Sequence, residues 1–364
     1  MMIPIARPLI EENEKQAVID VLDSGMIAAG EYVNKFEAQF AKYINSRYGI
    51  ACSSGTTALD VALKAAGIKK GDKVLTTPFT FIASSNAILY SGAEPVFTDI
   101  EADTFNISPD AIRKKLKEEL DIKALLIVHL YGLSCNMDEI MKIVDEYDLI
   151  LIEDCAQAHG AEYRGKKAGT FGDVSTFSFY PTKNITTGEG GMVLTDNEKI
   201  YKKAKLLINH GSQERYNHEV LGYNYRMTNI AAAIGLSQLE KLNDFNQKRQ
   251  RNAAFFTENL KDISWLETPV VPEGYKHVFH QYTIKINKNR DDFADYLKNN
   301  GIGYGIHYPI TVNKQPLYKK LGYEKEEYRV AEEMSSKVIS IPVHPALNES
   351  ELNKIVDVIG NYTE

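Results

Sequence analysis

Apolar residues recur along the chain with two periods, and the two alternate through most of its length. Short extended apolar pieces, YGIACSS at 48–54, KVLTTPF at 73–79, EPVFTDI at 94–100, ALLIVHL at 124–130 and DLILIEDC at 148–155, have the length and content of buried strands. Between them lie stretches of helical spacing over 55–66, 81–91, 108–119 and 136–147, each bounded by Gly, Pro, Asp or Asn. A helix is also predicted over 33–46, where Val33, Phe36, Phe40, Tyr43 and Ile44 share one face. VSTFSFYPT and GMVLTD continue the strand pattern, followed by helices over 197–208 and 229–249. Strand and helix in alternation predict an α/β fold, a mainly parallel sheet covered by helices.

Beyond about residue 250 the texture changes. QYTIKIN, a helix near 291–299, VISIPV and a last helix over 349–361 read as a smaller C-terminal α+β domain. Residues 1–250 then form the large domain with an N-terminal arm, and 251–364 the small one. No repeat or Pro/Gly/Ser linker separates them, so a broad shared interface is expected.

Composition narrows the function. The 364 residues are 44% apolar and 25% charged, and 42 Lys+Arg against 49 Asp+Glu leave a net charge of −7, which excludes a disordered chain. No apolar run approaches the roughly 20 residues of a membrane-spanning helix. Basic residues are not clustered, so neither nucleic acid nor membrane is expected as a partner. Cys52, Cys135 and Cys155 lack metal or disulfide spacing, and MMIPIARPLIEENEK turns acidic where a secretory signal would be apolar. A cytoplasmic protein is expected, and Asn-x-Ser/Thr at Asn106, Asn184, Asn348 and Asn361 reads as chance.

In open α/β sheets ligands bind beyond the carboxyl ends of the strands. After YGIAC comes Ser53-Ser54-Gly55-Thr56-Thr57, entering a helix; small residues and free amides suit an anion there, and the same run serves an ordinary N-cap. DLILIEDC places Asp154 at the end of an apolar strand, where a carboxylate needs a cation, a cap partner or a structural ion pair. Cys155 and His159 lack a second ligand pair, so no metal site is expected. Lys183, between FSFYPT and ITTGEGG, has no charged neighbour before Glu189; it reads as partly desolvated, hence a nucleophilic amine. Two near-motifs fail. Gly160 to Lys166 is followed by Lys167 instead of Ser or Thr, and Gly301, Gly303 and Gly305 lack the fingerprint spacing and a preceding strand. The loop GIHYPI, with His307 and Tyr308, is aromatic-rich and reads as structural unless a site forms around it.

An anion seat, a carboxylate for a ring nitrogen, an aromatic platform and a nucleophilic lysine form the set that pyridoxal 5'-phosphate requires. SSGTTAL, TTPFTFIAS, IEDCAQAHGA, GTFGD, SFYPTKNITTGEGG and GYNYRM, in that order and over nearly the whole chain, resemble the DegT/DnrJ/EryC1/StrS aminotransferases. The resemblance implies fold type I, the aspartate-aminotransferase-like fold. It implies transfer of an amino group from L-glutamate, leaving 2-oxoglutarate, to a nucleotide-linked keto-deoxy sugar for surface polysaccharide or glycan synthesis.

By motif position, Lys183 would form the Schiff base and move the proton, and Asp154 would hold the pyridine nitrogen protonated. Gln157 would bond the phenolic oxygen, Phe81 would stack on the ring, and Gly55, Thr56 and Ser178 would bind the phosphate. Asn224 would complete the phosphate site of the other subunit, which implies a homodimer with shared active sites. Tyr216, His218 and Arg226 would reach the neighbouring subunit's sugar nucleotide; His307, Tyr308 and the turn beginning at Met26 would line the sugar cleft. Relatives with histidine in place of the lysine dehydrate sugars, and others act as regulators. Lys183 and the complete cofactor set favour amino transfer, and a dehydrogenase would need the glycine fingerprint that is absent.

Overall fold

The computed structural model of the chain describes residues 2–214 and 216–363. Seven strands, β1 (Tyr48–Cys52), β2 (Lys73–Thr76), β3 (Glu94–Phe97), β4 (Ile122–Val128), β5 (Ile150–Asp154), β6 (Val174–Ser178) and β7 (Gly191–Thr195), lie in the order β1-β7-β6-β5-β4-β2-β3. The run from β6 to β3 is parallel throughout, whereas β7 is antiparallel to both β6 and β1. The physical reason is the connection: residues 179–190 contain no helix to carry the chain back, so β7 returns directly beside β6.

Helices cover both faces. α1 (Glu12–Ser24), α2 (Glu31–Ile44), α3 (Gly55–Ala65), α4 (Ile82–Tyr90), α5 (Pro109–Glu118), α6 (Met137–Tyr147), α7 (Glu198–Ile208) and α8 (Asn229–Leu260) follow in chain order. α3, α4 and α7 pack into one apolar cluster, α2 and α8 into a second, and α5 and α6 into a third. Along β4, Ala124, Leu126 and Val128 join the first cluster while Leu125 and Ile127 join the third, so this strand is buried on both faces. That explains the unbroken apolar run. α1 escapes the periodicity reading because Val21 is its one buried apolar residue; it is held instead by buried Glu14, which accepts from Gln238 and Lys241 of α8, both at 2.8 Å.

α8 continues past the predicted end at 249, and the boundary expected at 250 falls inside it. Ala253, Phe256 and Leu260 carry the apolar stripe onward into a second core. There β8 (Leu266–Glu267), β9 (Tyr282–Ile286) and β10 (Val338–Ile341) form an antiparallel sheet. α9 (Arg290–Asn299) and α11 (Glu349–Gly360) contribute Phe293 and Ile355 to its core, and α10 (Arg329–Lys337) lies between them in the chain. Ile3 joins the same core and bridges to Ile302, so the N-terminal segment ends against the C-terminal part. Among the described residues no helix is long and apolar enough to cross a membrane.

Phe256 is fully buried where α8 enters the second core. Phe256→Ala is expected to lower stability by about 3–5 kcal/mol, read as a drop in the urea midpoint at unchanged slope. A loss below about 1 kcal/mol, within the range of surface substitutions, would contradict that role for the ring.

Candidate active site

β5 ends in two carboxylates, and the two-residue period of a strand sends them to opposite faces. Asp154 lies between β4 and β6, paired in register with Val128 and Thr176. Its Oδ2 accepts from Ser84 Oγ at 2.8 Å and its Oδ1 from the Ala156 amide at 3.1 Å. Burial raises its pKa, against the opposing pull of these bonds and of the Lys183 charge. Lys183 follows β6 in the loop to β7 and is half-buried. Burial lowers its pKa to about 8, and the Asp154 charge opposes the shift. The pair is therefore a carboxylate short of positive charge facing an amine that is readily neutral, the state in which an amine is a nucleophile.

A wall of polar groups surrounds them. Gln157 Oε1 accepts the Tyr131 amide at 2.6 Å, which turns Gln157 Nε2 toward Tyr308, whose hydroxyl accepts at 3.1 Å. The Tyr308 ring lies 6.2 Å from that of Phe81, which stands 57% exposed at the N-cap of α4. Tyr131 donates its hydroxyl to the His307 carbonyl. His307 Nδ1 sits 3.0 Å from Ser340 Oγ, and burial, helped by the Lys183 charge, lowers its pKa to about 4. His307 is thus neutral at pH 7. The loop at 307–308, followed by α10 and β10, closes the site from the C-terminal side.

At the start of α3 the N-cap reading of SSGTT is seen directly. Ser54 is the N-cap: its Oγ accepts the Thr57 amide at 3.1 Å, and Thr57 Oγ1 accepts the Ser54 amide at 3.0 Å. The amides of Gly55 and Thr56 occupy the first turn, where a helix supplies no acceptor of its own. A Cβ at Gly55 would stand 2.7 Å from Ser178 Cβ, and one at Gly191 would stand 2.2 Å from the Ser54 carbonyl oxygen. Only glycine lets β6, β7 and α3 meet this closely, and the result is a backbone cradle suited to an anion.

The remaining candidates open elsewhere. Arg226 lines a cleft of about 790 Å³ with Glu37, Lys205 and Asn209, apart from Lys183. Its Nη1 donates to the neutral Asn209 Oδ1 at 2.7 Å, which leaves the guanidinium charge available to an anion. Asn224 and His218 are exposed, as is Tyr216 at 81%. Met26 is 66% exposed, in a turn pinned by Asn229, whose Nδ2 donates to the Met26 carbonyl at 2.7 Å. Among the described residues, Lys183 is not part of the cleft that Arg226 lines.

Several neighbours of Asp154 leave no mark in the periodicity. Ser84 is one of two adjacent serines in α4, and only the fold aims it at Asp154. His129 follows β4, where the strand-end rule could have found it. Glu153 is fully buried and accepts the amides of Gly169, Phe171 and Gly172 at 2.8, 2.7 and 2.7 Å, with His129 Nε2 at 2.9 Å. Despite its burial, these donors hold its pKa below the usual carboxylate value. His129, Glu153 and Cys155 form the one metal-capable cluster among the described residues, and N–H donors already fill its carboxylate. His159 stands apart from it, packed against Phe40, Phe177 and Phe179 and driven by burial to a pKa of about 3.

The model of the DegT/DnrJ/EryC1/StrS aminotransferase family matches residues 8–360. The chain is 38% identical to a pleiotropic regulatory protein of Geobacillus stearothermophilus, covering 96% of this chain and 95% of that protein. It is 37% identical to the GDP-perosamine synthase of Escherichia coli O157:H7, covering 99% and 98%. Among solved structures, S. venezuelae DesV in complex with a ketimine intermediate superposes with a TM-score of 0.94 at 31% identity, over the full length of both chains.

The depressed pKa of Lys183 has a measurable consequence. In protein free of small ligands, an amine-acylating reagent should modify Lys183 at a rate that rises with pH and levels off above about 8. A surface lysine would keep rising toward its ordinary value near 10.4. Peptide mass spectrometry across a pH series separates the two.

Proposed function

The chain belongs to the DegT/DnrJ/EryC1/StrS aminotransferase family and has its fold type I architecture; from that premise we propose a pyridoxal 5'-phosphate enzyme that transfers an amino group from glutamate to the keto group of a nucleotide-linked deoxy sugar. One observation carries this reading: the buried Asp154 and the half-buried Lys183 act on each other electrostatically with their pKa values shifted in opposite directions, and Ser178, on the strand that leads to Lys183, meets Gly55 at the start of α3.

The residues fit the cofactor. Gly55, Thr56 and Ser178 would hold its phosphate, Phe81 would cover its ring, and Gln157 Nε2, which gives one N–H to Tyr308, would donate its other N–H to the phenolic oxygen. When bound, the cofactor supplies an electron sink and a carrier for the amino group. Asp154 keeps a proton on the ring nitrogen, whose positive charge meets the need that burial creates for this carboxylate. Lys183 takes and returns the proton at the substrate carbon. Neutral His307 and Tyr308 face the sugar and exclude water without adding charge beside the amine.

The reading includes a homodimer. Leu221, Tyr216 and Met26 are strongly exposed large hydrophobic residues, the kind of surface a second copy would cover. Asn224 then completes the partner's phosphate seat, and Arg226, Tyr216 and His218 reach the sugar nucleotide held next door. A protein of net charge −7 draws an anionic substrate only through such local cations. Residues 1–250 act as the cofactor domain and 251–364 as the small domain, which lends His307 and Tyr308. Cys52, Cys135 and Cys155 are buried and unpaired, as suits a cytoplasmic enzyme.

Purified protein loaded with pyridoxal phosphate should absorb at about 400–430 nm, and borohydride should fix the cofactor's mass on the Lys183 peptide. With glutamate and a panel of UDP-, GDP- and dTDP-linked keto sugars, one sugar should gain an amine while 2-oxoglutarate accumulates. A deoxygenated sugar without nitrogen would indicate dehydration instead, and a chain that takes up no cofactor would support the regulatory reading. Asp154→Asn should cut turnover by about 100-fold or more while weakening cofactor binding far less. Unchanged turnover would remove Asp154 from the mechanism.

A further inference from the structure

The segment 222–227 is held on both sides. Its backbone is extended, with Asn224 bridged to Asn209 and Arg226 to Cys52. The Ser53 amide, one residue before the N-cap of α3, donates to the Tyr225 carbonyl at 2.7 Å. The two-residue period places Tyr223 and Tyr225 on one side and Asn224 and Arg226 on the other. The two tyrosine rings stack at 4.7 Å with their planes 6° apart.

The inner side meets α3. Lys64 Nζ donates to Asp60 Oδ1 at 2.5 Å and to the Tyr223 hydroxyl at 3.0 Å, and the Tyr225 hydroxyl lies against the same Asp60 carboxylate. Asp60 is 2% exposed, so this is an anchored pair within the fold and not a solvated surface contact. α3 is also the helix whose first turn builds the anion cradle. One rigid helix therefore carries a chain's own cradle at its first turn and, one and two turns later, grips the strip from which Asn224 projects.

We propose that Asp60, Lys64, Tyr223 and Tyr225 are positioning residues that set Asn224 for the cofactor phosphate of the partner subunit. The proposal rests on the homodimer reading above. Its content is directional: a defect in the cluster of one chain weakens the site of the other.

The paired substitution Asp60→Asn with Lys64→Met removes both charges and leaves no buried carboxylate unpaired. Tyr223→Phe removes only one hydroxyl and serves as the milder variant should the pair fail to fold. In homodimers the pair should weaken pyridoxal phosphate binding about tenfold, the loss expected of one charge-assisted hydrogen bond. Direction is read in heterodimers purified through two tags, in which one chain carries Lys183→Ala so that the absorbance band reports a single site. With the cluster variant on the chain that keeps Lys183, that site receives Asn224 from an intact cluster, and its affinity should equal wild type. With the cluster variant on the chain that carries Lys183→Ala, the reporting site should be weakened as in the variant homodimer. The opposite assignment, equal weakening in both arrangements, or no weakening in either overturns the proposal. Sedimentation of the wild-type chain as a monomer overturns the dimer reading instead and takes the proposal with it.

Discussion

A carboxylate and an amine share the space beyond the end of β5, and much of the molecule is arranged so that neither is fully satisfied by the other. Asp154 is buried, bonded to Ser84 and the Ala156 amide, and still pushed up by the loss of water. Lys183 is pushed down to about 8 by the same loss. Two groups in free water would both be charged and inert. Here the low dielectric that the packed sheet creates around them keeps the amine ready to react and leaves the carboxylate in need of a cation.

That balance depends on keeping β5 in place, and the second carboxylate of the strand does so. Glu153 collects three backbone amides from the 169–172 loop and the His129 ring, tying the far face of β5 to β4 and to the approach to β6. One face of the strand end is thus a closed set of hydrogen bonds, while the other is left open toward the site. Adjacent residues of the same chemical type take opposite roles because a strand turns them to opposite environments.

The anion cradle shows the complementary strategy, in which backbone does what side chains cannot. Three segments meet closely because Gly55 and Gly191 lack Cβ atoms, and the first-turn amides of α3 have no acceptor within the helix. The same helix grips the 222–227 strip through Asp60 and Lys64. The first turn of α3 and one side of the strip that carries Asn224 are consequently tied to one helix, while Asn209 holds the strip from the other side.

The alternation of strand and helix was legible from residue pattern, because burial on both faces of a parallel sheet leaves unbroken apolar runs that few other architectures produce. Lys183 and Asp154 could be singled out from the sequence, Lys183 because no charge follows it before Glu189 and Asp154 because it closes an apolar strand; the chemistry given to them rests with the proposal above. What the pattern could not supply was anything settled by contact across the chain. α1 is held by polar contacts of Glu14 with α8, so it has little apolar stripe to read. α8 runs through the expected boundary at 250 because its stripe passes from one core directly into the next. Ser84, Tyr131, Asp60 and Lys64 are ordinary residues in ordinary elements, and only their meeting with Asp154, Gln157, Tyr223 and Tyr225 makes them part of a site. Local sequence determines which elements form and which groups are chemically costly to bury; tertiary structure decides which of those groups meet, because their energies depend on neighbours far away in the chain.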